Sequence, residues 1–194
     1  MALSGVRTRR WTRVEYDRMI EQGLFRPGER LELVDGALVV REPQGTPHAT
    51  AIRMAEEALR AAFGAGWEVR VQMPVALDDA SEPEPDLAVA PGSFRDYRHA
   101  HPRQPVLVLE VADTSLAFDR HEKASLYARG GILDYWVVNL VDGVLEVSRE
   151  PGRAPEETAP FGWRYQQTRR LGSGELVSPL ARPGAQIAVA DLIP

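Results

Sequence analysis

The sequence predicts a mixed α/β (α+β) domain: a sheet of mixed strand direction with helices on its flanks. Three observations lead there. Two Asp-Gly turns, Asp35-Gly36 and Asp142-Gly143, each lie between short apolar segments of β type. One stretch, Thr46 to about Phe63, carries apolar residues at helical spacing. One run, Val106 to Val111, is apolar except for Glu110, as expected of a strand buried on both faces. The resulting order is helix, hairpin, helix, several strands, helix, then strands. It does not alternate as a barrel or a dinucleotide-binding fold would.

The elements follow in turn. Thr12 and Glu15 form a capping-box pattern that opens a short helix to about Gln22. Arg30–Val34 and Ala37–Val40 make a hairpin around Asp35-Gly36. Thr46 caps a helix that has Pro47 at its first position and runs to about Phe63, with Ile52, Ala55, Leu59 and Ala62 as its apolar stripe. Trp67–Gln72 and Pro74–Leu77 read as strands, Asp78–Pro85 as an acidic loop, and Asp86–Ala90 as a short strand. A polar loop, Pro91–Pro105, leads to the Val106–Val111 strand. Asp119 with Glu122 reads as a second capping box, its helix ending at Gly130-Gly131. Tyr135–Val138 and Val144–Val147 are strands, and Arg164–Leu171 with Gln186–Ala190 form a last strand pair.

Composition narrows the chemistry. The 194 residues suit one domain spanning 1–194, and 44% hydrophobic with 26% charged residues is ordinary for a globular protein. No apolar run approaches the ~18 residues of a membrane span, and the first residues show no apolar leader, so a cytoplasmic protein without membrane association is expected. The absence of cysteine excludes disulfides, thiolate nucleophiles and Cys-ligated metal centres. There is no Gly-rich phosphate loop, HExxH or GxSxG. The net charge of −5 runs against a uniformly basic nucleic-acid binder. A local basic face remains compatible with it, because metal-binding carboxylates add negative charge of their own.

Seven residues stand out. Glu110 is a carboxylate among residues that want burial, which is costly unless it is paired, bound to a cation or placed at a strand end. Asp86 opens the preceding strand. By itself it reads as a turn acid, but beside Glu110 it completes a pair able to hold Mg²⁺ or Mn²⁺. Lys123 is the only lysine among 23 basic residues, and lysine differs from arginine in being a compact charge whose pKa can shift. Arg120, Lys123 and Tyr127 share a helix face by their spacing. Glu32 lies on the strand face of Val34 and across from Val39, and His48 stands four residues before Ile52 on the apolar stripe. Each of these two has an ordinary structural reading beside the functional one. His99 and His101 have no evident partner.

Pro85-Asp86, the Val106–Val111 strand with Glu110, the stretch Asp119-Arg-His-Glu-Lys123-Ala-Ser-Leu-Tyr127, and Asp134-Tyr-Trp136 form an ordered set. With Glu32-Leu-Val-Asp35-Gly36 and His48, this set resembles the Uma-type restriction endonuclease family of the PD-(D/E)XK nuclease superfamily, over roughly residues 11 to 150. The resemblance implies a restriction-endonuclease-like core, Mg²⁺-dependent phosphodiester hydrolysis, nucleic acid (DNA) as partner, and pairing into a homodimer. By position Asp86 matches the family aspartate and Glu110 the second acid. Ala112 stands where the superfamily places its lysine, and within the Uma-type group Lys123 takes that part from the following helix. The implied metal ligands are Asp86, Glu110 and the carbonyl of Val111. Lys123 would orient or deprotonate the water, Arg120 would hold the nucleic-acid backbone, and Glu32 and His48 would assist. Replacing Lys123 by alanine is expected to abolish cleavage with little loss of stability. Three alternatives stand beside this reading. One is a catalytically silent nuclease fold that binds nucleic acid or protein, favoured by the acidic charge and by Ala112. Another is a hydrolase of small phosphodiesters. The last is a structural domain whose two acids lie too far apart to share an ion.

Overall fold

A computed structural model describes residues 8–41 and 43–194. The seven N-terminal residues, on which part of the leader argument falls, lie outside it. Among the described residues, a six-stranded sheet has the order β3 (Trp67–Val71), β4 (Leu87–Pro91), β5 (Leu107–Ala112), β6 (Asp134–Asn139), β7 (Val144–Arg153) and β8 (Trp163–Leu171). Its neighbours pair antiparallel except β5 with β6, which are parallel and joined by a helical crossover. Two small antiparallel pairs lie outside it: β1 (Leu31–Val34) with β2 (Ala37–Val40), and β9 (Leu176–Val177) with β10 (Ile187–Ala188).

Strand alternation splits the core in two. Leu87, Val89, Leu107, Leu109, Val111, Trp136 and Val138 face α2 (Thr46–Phe63), which contributes Ile52, Ala55, Leu59 and Phe63. Ala88, Val108, Ala112, Tyr135 and Val137 face the other way, packing with Val34 of the hairpin and with Leu126, Tyr127 and Ala128 of α4 (Ala124–Arg129). Glu110 falls between Val108 and Ala112 and therefore belongs to the α4 face. A short helix, α1 (Arg13–Glu21), carries the expected capping box of Thr12 and Glu15.

Turn chemistry sets the hairpin that carries Glu32. Asp35 and Gly36 both have positive φ, 48° and 80°, the pairing that a two-residue turn matched to strand twist requires. A side chain at position 36 would collide with Arg10. Arg129 of α4 donates to Asp35 at 2.6 Å and so ties the hairpin to the helix.

Several boundaries differ from the sequence expectation. Gly45, rather than Thr46, caps α2. Pro74–Leu77 is not a strand: after Gln72, whose φ is 50°, the chain leaves the sheet, and Val75 bonds to the loop carbonyl of Pro83. The polar loop contains a 3₁₀ turn, Phe94–Tyr97. β8 pairs with β7 rather than with Gln186–Ala190, where the short β10 joins β9. Asp119 is no N-cap. The helix begins as α3 (Leu116–Phe118) and continues through a π turn, Asp119–Lys123, into α4. The Asp119 carbonyl accepts the Ala124 N–H, the wide-spaced bond of a π turn, and also the Tyr135 hydroxyl at 2.9 Å. Among the described residues, no helix is long and apolar enough to cross a membrane.

Candidate active site

A cleft of about 490 Å³ opens where β5 ends and β4 begins, lined by Glu32, Arg41, His48, Asp86, Glu110, Val111, Asp119 and Lys123 among others. The antiparallel pairing of Leu87 with Leu109 sets Asp86 beside Glu110. The Asp86 N–H donates to Glu110 Oε2 at 3.1 Å, and the Val111 N–H donates to Asp86 Oδ2 at 2.9 Å. The two acids are thus neighbours on adjoining strands, which counts against the reading in which they lie too far apart to share an ion. The Val111 amide faces Asp86, and its carbonyl projects to the same side of the strand.

Asp86 is 2% exposed. Its Oδ1 accepts from Arg41 at 3.1 Å, Gln72 at 3.3 Å and Gln44 at 3.4 Å, and its Oδ2 lies 3.2 Å from His48 Nε2. Burial alone would raise its pKa. The hydrogen bond from His48, the Val111 amide and the Arg41 charge outweigh burial and hold it below the usual carboxylate range.

Glu110 is 3% exposed. Its Oε1 accepts from Tyr127 at 2.7 Å and from Lys123 at 3.0 Å. Burial pushes its pKa up, Lys123 opposes this, and Asp86 and Glu32 add to it. Lys123 also donates to Glu32 Oε2 at 2.8 Å. Burial would lower the lysine, but Glu110, Glu32 and Asp119 together hold it above its ordinary value. The ammonium is therefore a firmly held charge and hydrogen-bond donor, which counts against a part as proton acceptor. Its removal would strand two buried carboxylates, so the expectation of little stability loss in Lys123→Ala is corrected: breaking a buried pair costs about 3–5 kcal/mol.

The sequence-selected residues divide cleanly. Glu32, His48, Asp86, Glu110, Lys123 and Tyr127 converge. Arg120 does not. A π turn rotates the chain less per residue than an α turn, so Arg120 swings off the face of Lys123 and Tyr127. It bonds instead to Glu146, with Nε at 2.9 Å from Oε2 and a second, shorter contact through Nη2. His101 has a partner after all, Arg70 at 3.1 Å.

Sequence reasoning missed four contributors. Arg41, Gln44 and Gln72 lie in connections whose spacing carries no signal for a site. Asp119 was visible only as a cap. It is buried, accepts from Ser115 Oγ at 2.6 Å and lines the cleft; burial, and then Glu110, push its pKa up to about 7. Asp134 and Trp136 of the recognised stretch are structural. Asp134 is fully buried and accepts from Trp136 Nε1, Arg149 Nε and the Leu180 N–H at 2.7–2.8 Å, anchoring the C-terminal segment.

The Uma2 family model, described as "Putative restriction endonuclease", matches residues 13–190, and the chain belongs to that family. The match runs well beyond the stretch of sequence resemblance, through β8 and the C-terminal pair. A crystal structure titled as a putative nuclease belonging to DUF820, from Anabaena variabilis, is similar in fold. Its TM-score is 0.68 at 14% identity, covering 94% of this chain and 97% of that one. Among curated proteins, none matches the sequence.

Proposed function

We propose that the protein is a Mg²⁺-dependent endodeoxyribonuclease. The observation that carries the reading is the convergence of Asp86, Glu110 and the sole lysine in one open cleft. The family description supports DNA as substrate and internal cleavage.

The donor set suits a hard divalent ion. Asp86 and Glu110 offer carboxylate oxygens on adjoining strands, and the Val111 carbonyl projects toward them. Among the described residues, no three acidic or histidine side chains already gather around one point. Two carboxylates and a carbonyl leave the remaining positions to water, as Mg²⁺ prefers. Among the cleft-lining residues Glu32, Asp86, Glu110, Asp113 and Asp119 outnumber Arg41 and Lys123, so an added cation relieves like-charge repulsion. Bound there, Mg²⁺ or Mn²⁺ supplies Lewis acidity to the phosphate and to the attacking water.

The chain's own groups do the rest. Lys123, kept protonated, donates to the attacking water or a phosphate oxygen and offsets developing negative charge. Tyr127 and the Asp86 amide fix the Glu110 carboxylate, and His48 and the Val111 amide fix Asp86, so that both present oxygens in set directions. Glu32 holds Lys123 from the opposite side.

Titration of Mn²⁺ into wild type and Asp86→Ala, followed by a DNA-cleavage assay in Mg²⁺, tests the proposal. Binding lost in the variant, with metal-dependent cleavage in wild type, supports it. Binding without turnover on any nucleic acid would instead favour a silent nuclease-fold binding module.

A further inference from the structure

A second polar network lies on the far side of the π turn from the cleft. Glu110, Val137, Glu146 and Arg170 are successive register partners across β5, β6, β7 and β8, so they share one face of the sheet. Three interstrand steps of ~4.8 Å separate Glu110 from Arg170, about 14 Å in all. Near the end of this row, a single carboxylate oxygen collects three donors. Asp142 Oδ2 accepts from Arg170 Nη2 at 2.7 Å, Asn139 Nδ2 at 2.9 Å and Arg120 Nη2 at 3.5 Å.

We propose that this is a phosphate subsite for the nucleic-acid backbone flanking the scissile bond, in which Asp142 Oδ2 fills the place of a phosphate oxygen. The inference rests on the nuclease reading above. Two guanidiniums and an amide converging on one oxyanion are the equipment of phosphate recognition. About 14 Å along a duplex corresponds to roughly four base-pair rises, so a backbone reaching the cleft can reach this point too.

The Asp142 side chain is displaceable. It is 43% exposed in the turn between β6 and β7, and exposed ion pairs contribute about 0–1 kcal/mol. It is also not what shapes that turn. Asn139 Oδ1 accepts the N–H groups of Val141 and Asp142, so the cap uses the Asn139 side chain and the Asp142 main chain. Two of the three donors, by contrast, are fixed from below, while Arg170 Nε lies 3.8 Å from Glu146 and its side chain is half exposed. Buried Glu146 grips Arg120 and accepts Asn139 Nδ2 at 2.9 Å. An adjoining cavity of about 400 Å³, lined by Arg120, Arg170, Glu146, Ser148 and Thr168 among others, leaves room for the rest of the phosphate beside the Ser148 and Thr168 hydroxyls, which bond to each other at 2.9 Å.

The test compares wild type, Asp142→Ala, Asp142→Ala with Arg170→Gln, and Glu150→Ala, the last being an exposed-acid control for net charge. Binding of a short DNA duplex in chelator is read by fluorescence anisotropy over a salt series, and binding of inorganic phosphate is read by calorimetry. Asp142→Ala is expected to gain about two- to fivefold for both probes and to steepen the log–log salt slope by about 0.9. Glu150→Ala should gain less, and Arg170→Gln should erase the gain. Equal gain in Glu150→Ala, or none in Asp142→Ala, overturns the subsite. The phosphate pattern without duplex binding in any variant, in chelator and again with Mg²⁺ added, keeps the anion subsite and removes the nuclease reading.

Discussion

Lys123 Nζ lies 3.0 Å from Glu110 Oε1 and 2.8 Å from Glu32 Oε2. One ammonium thus joins the central sheet, the separate hairpin and the crossover helix. Both carboxylates are nearly inaccessible to water, so the lysine organises the fold as well as the site.

Lys123→Ala should lose DNA cleavage and, at neutral pH, about 3–5 kcal/mol of stability. Denaturant unfolding from pH 5 to 8 checks the second part. Because burial already raises Glu110, acidification neutralises the stranded carboxylates, and the penalty should shrink as pH falls. A penalty independent of pH would show that repacking, not charge, sets the loss.

Asp86→Asn should abolish Mn²⁺ binding and cost about 1–3 kcal/mol at pH 7, since the amide keeps one accepting oxygen and turns its NH2 toward donors that both carboxylate oxygens now accept. The folded Asp86 titrates below its ordinary value. Its contribution is therefore present above about pH 4 and lost as pH falls through the folded value. Parallel acid titrations of wild type and variant should begin to approach each other below about pH 4 and converge once the folded Asp86 is protonated; a gap unchanged by acidification would remove the carboxylate charge as its source.

Much of this arrangement was legible in the chain. Glu110 announced itself as a charge inside an apolar run, Asp35-Gly36 specified the hairpin that presents Glu32, and the solitary lysine marked position 123. What could not be read depends on tertiary competition. The Tyr135 hydroxyl binds the Asp119 carbonyl within the π turn that sends Arg120 to Glu146, and no heptad-like count anticipates that. Gln72 reaches Asp86 only because its positive φ bends the chain out of β3. β8 pairs with β7 because the hairpin between them is closer in sequence than the C-terminal segment, which Asp134 instead fastens through Leu180.

Tyr127→Phe separates positioning from fold. Its hydroxyl donates to Glu110 at 2.7 Å inside a fully buried ring contact with Tyr135, centroids 5.1 Å apart. The ring stays, so packing is preserved, and the loss is one charge-assisted hydrogen bond of about 1.5–3 kcal/mol. With Glu110 less firmly oriented, Mn²⁺ affinity should fall about tenfold. Calorimetric titration at matched stability reads this directly, and unchanged affinity would leave the tyrosine a purely structural part.

Glu82 lies outside the cleft and offers a stability prediction independent of catalysis. Its backbone bonds to Leu33, locking β1 to the acidic loop, while its side chain is 3% exposed. The nearest cation, Arg13 Nη1, is 3.7 Å from Oε2, too far for a hydrogen bond, and that oxygen has no hydrogen-bond partner among the described residues. Burial, reinforced by Asp17, pushes its pKa up to about 7. A raised carboxyl favours the protonated fold. The native state is thus relatively most stable below the unfolded value near 4.5, and it loses stability as pH rises through about 7. Glu82→Gln removes the ionisation while keeping shape. It should match wild type near pH 4 and exceed it by about 1–3 kcal/mol at pH 8. If instead the variant is weaker at pH 8, the Arg13 pairing outweighs burial, and Glu82 belongs with the stabilising charges of the loop.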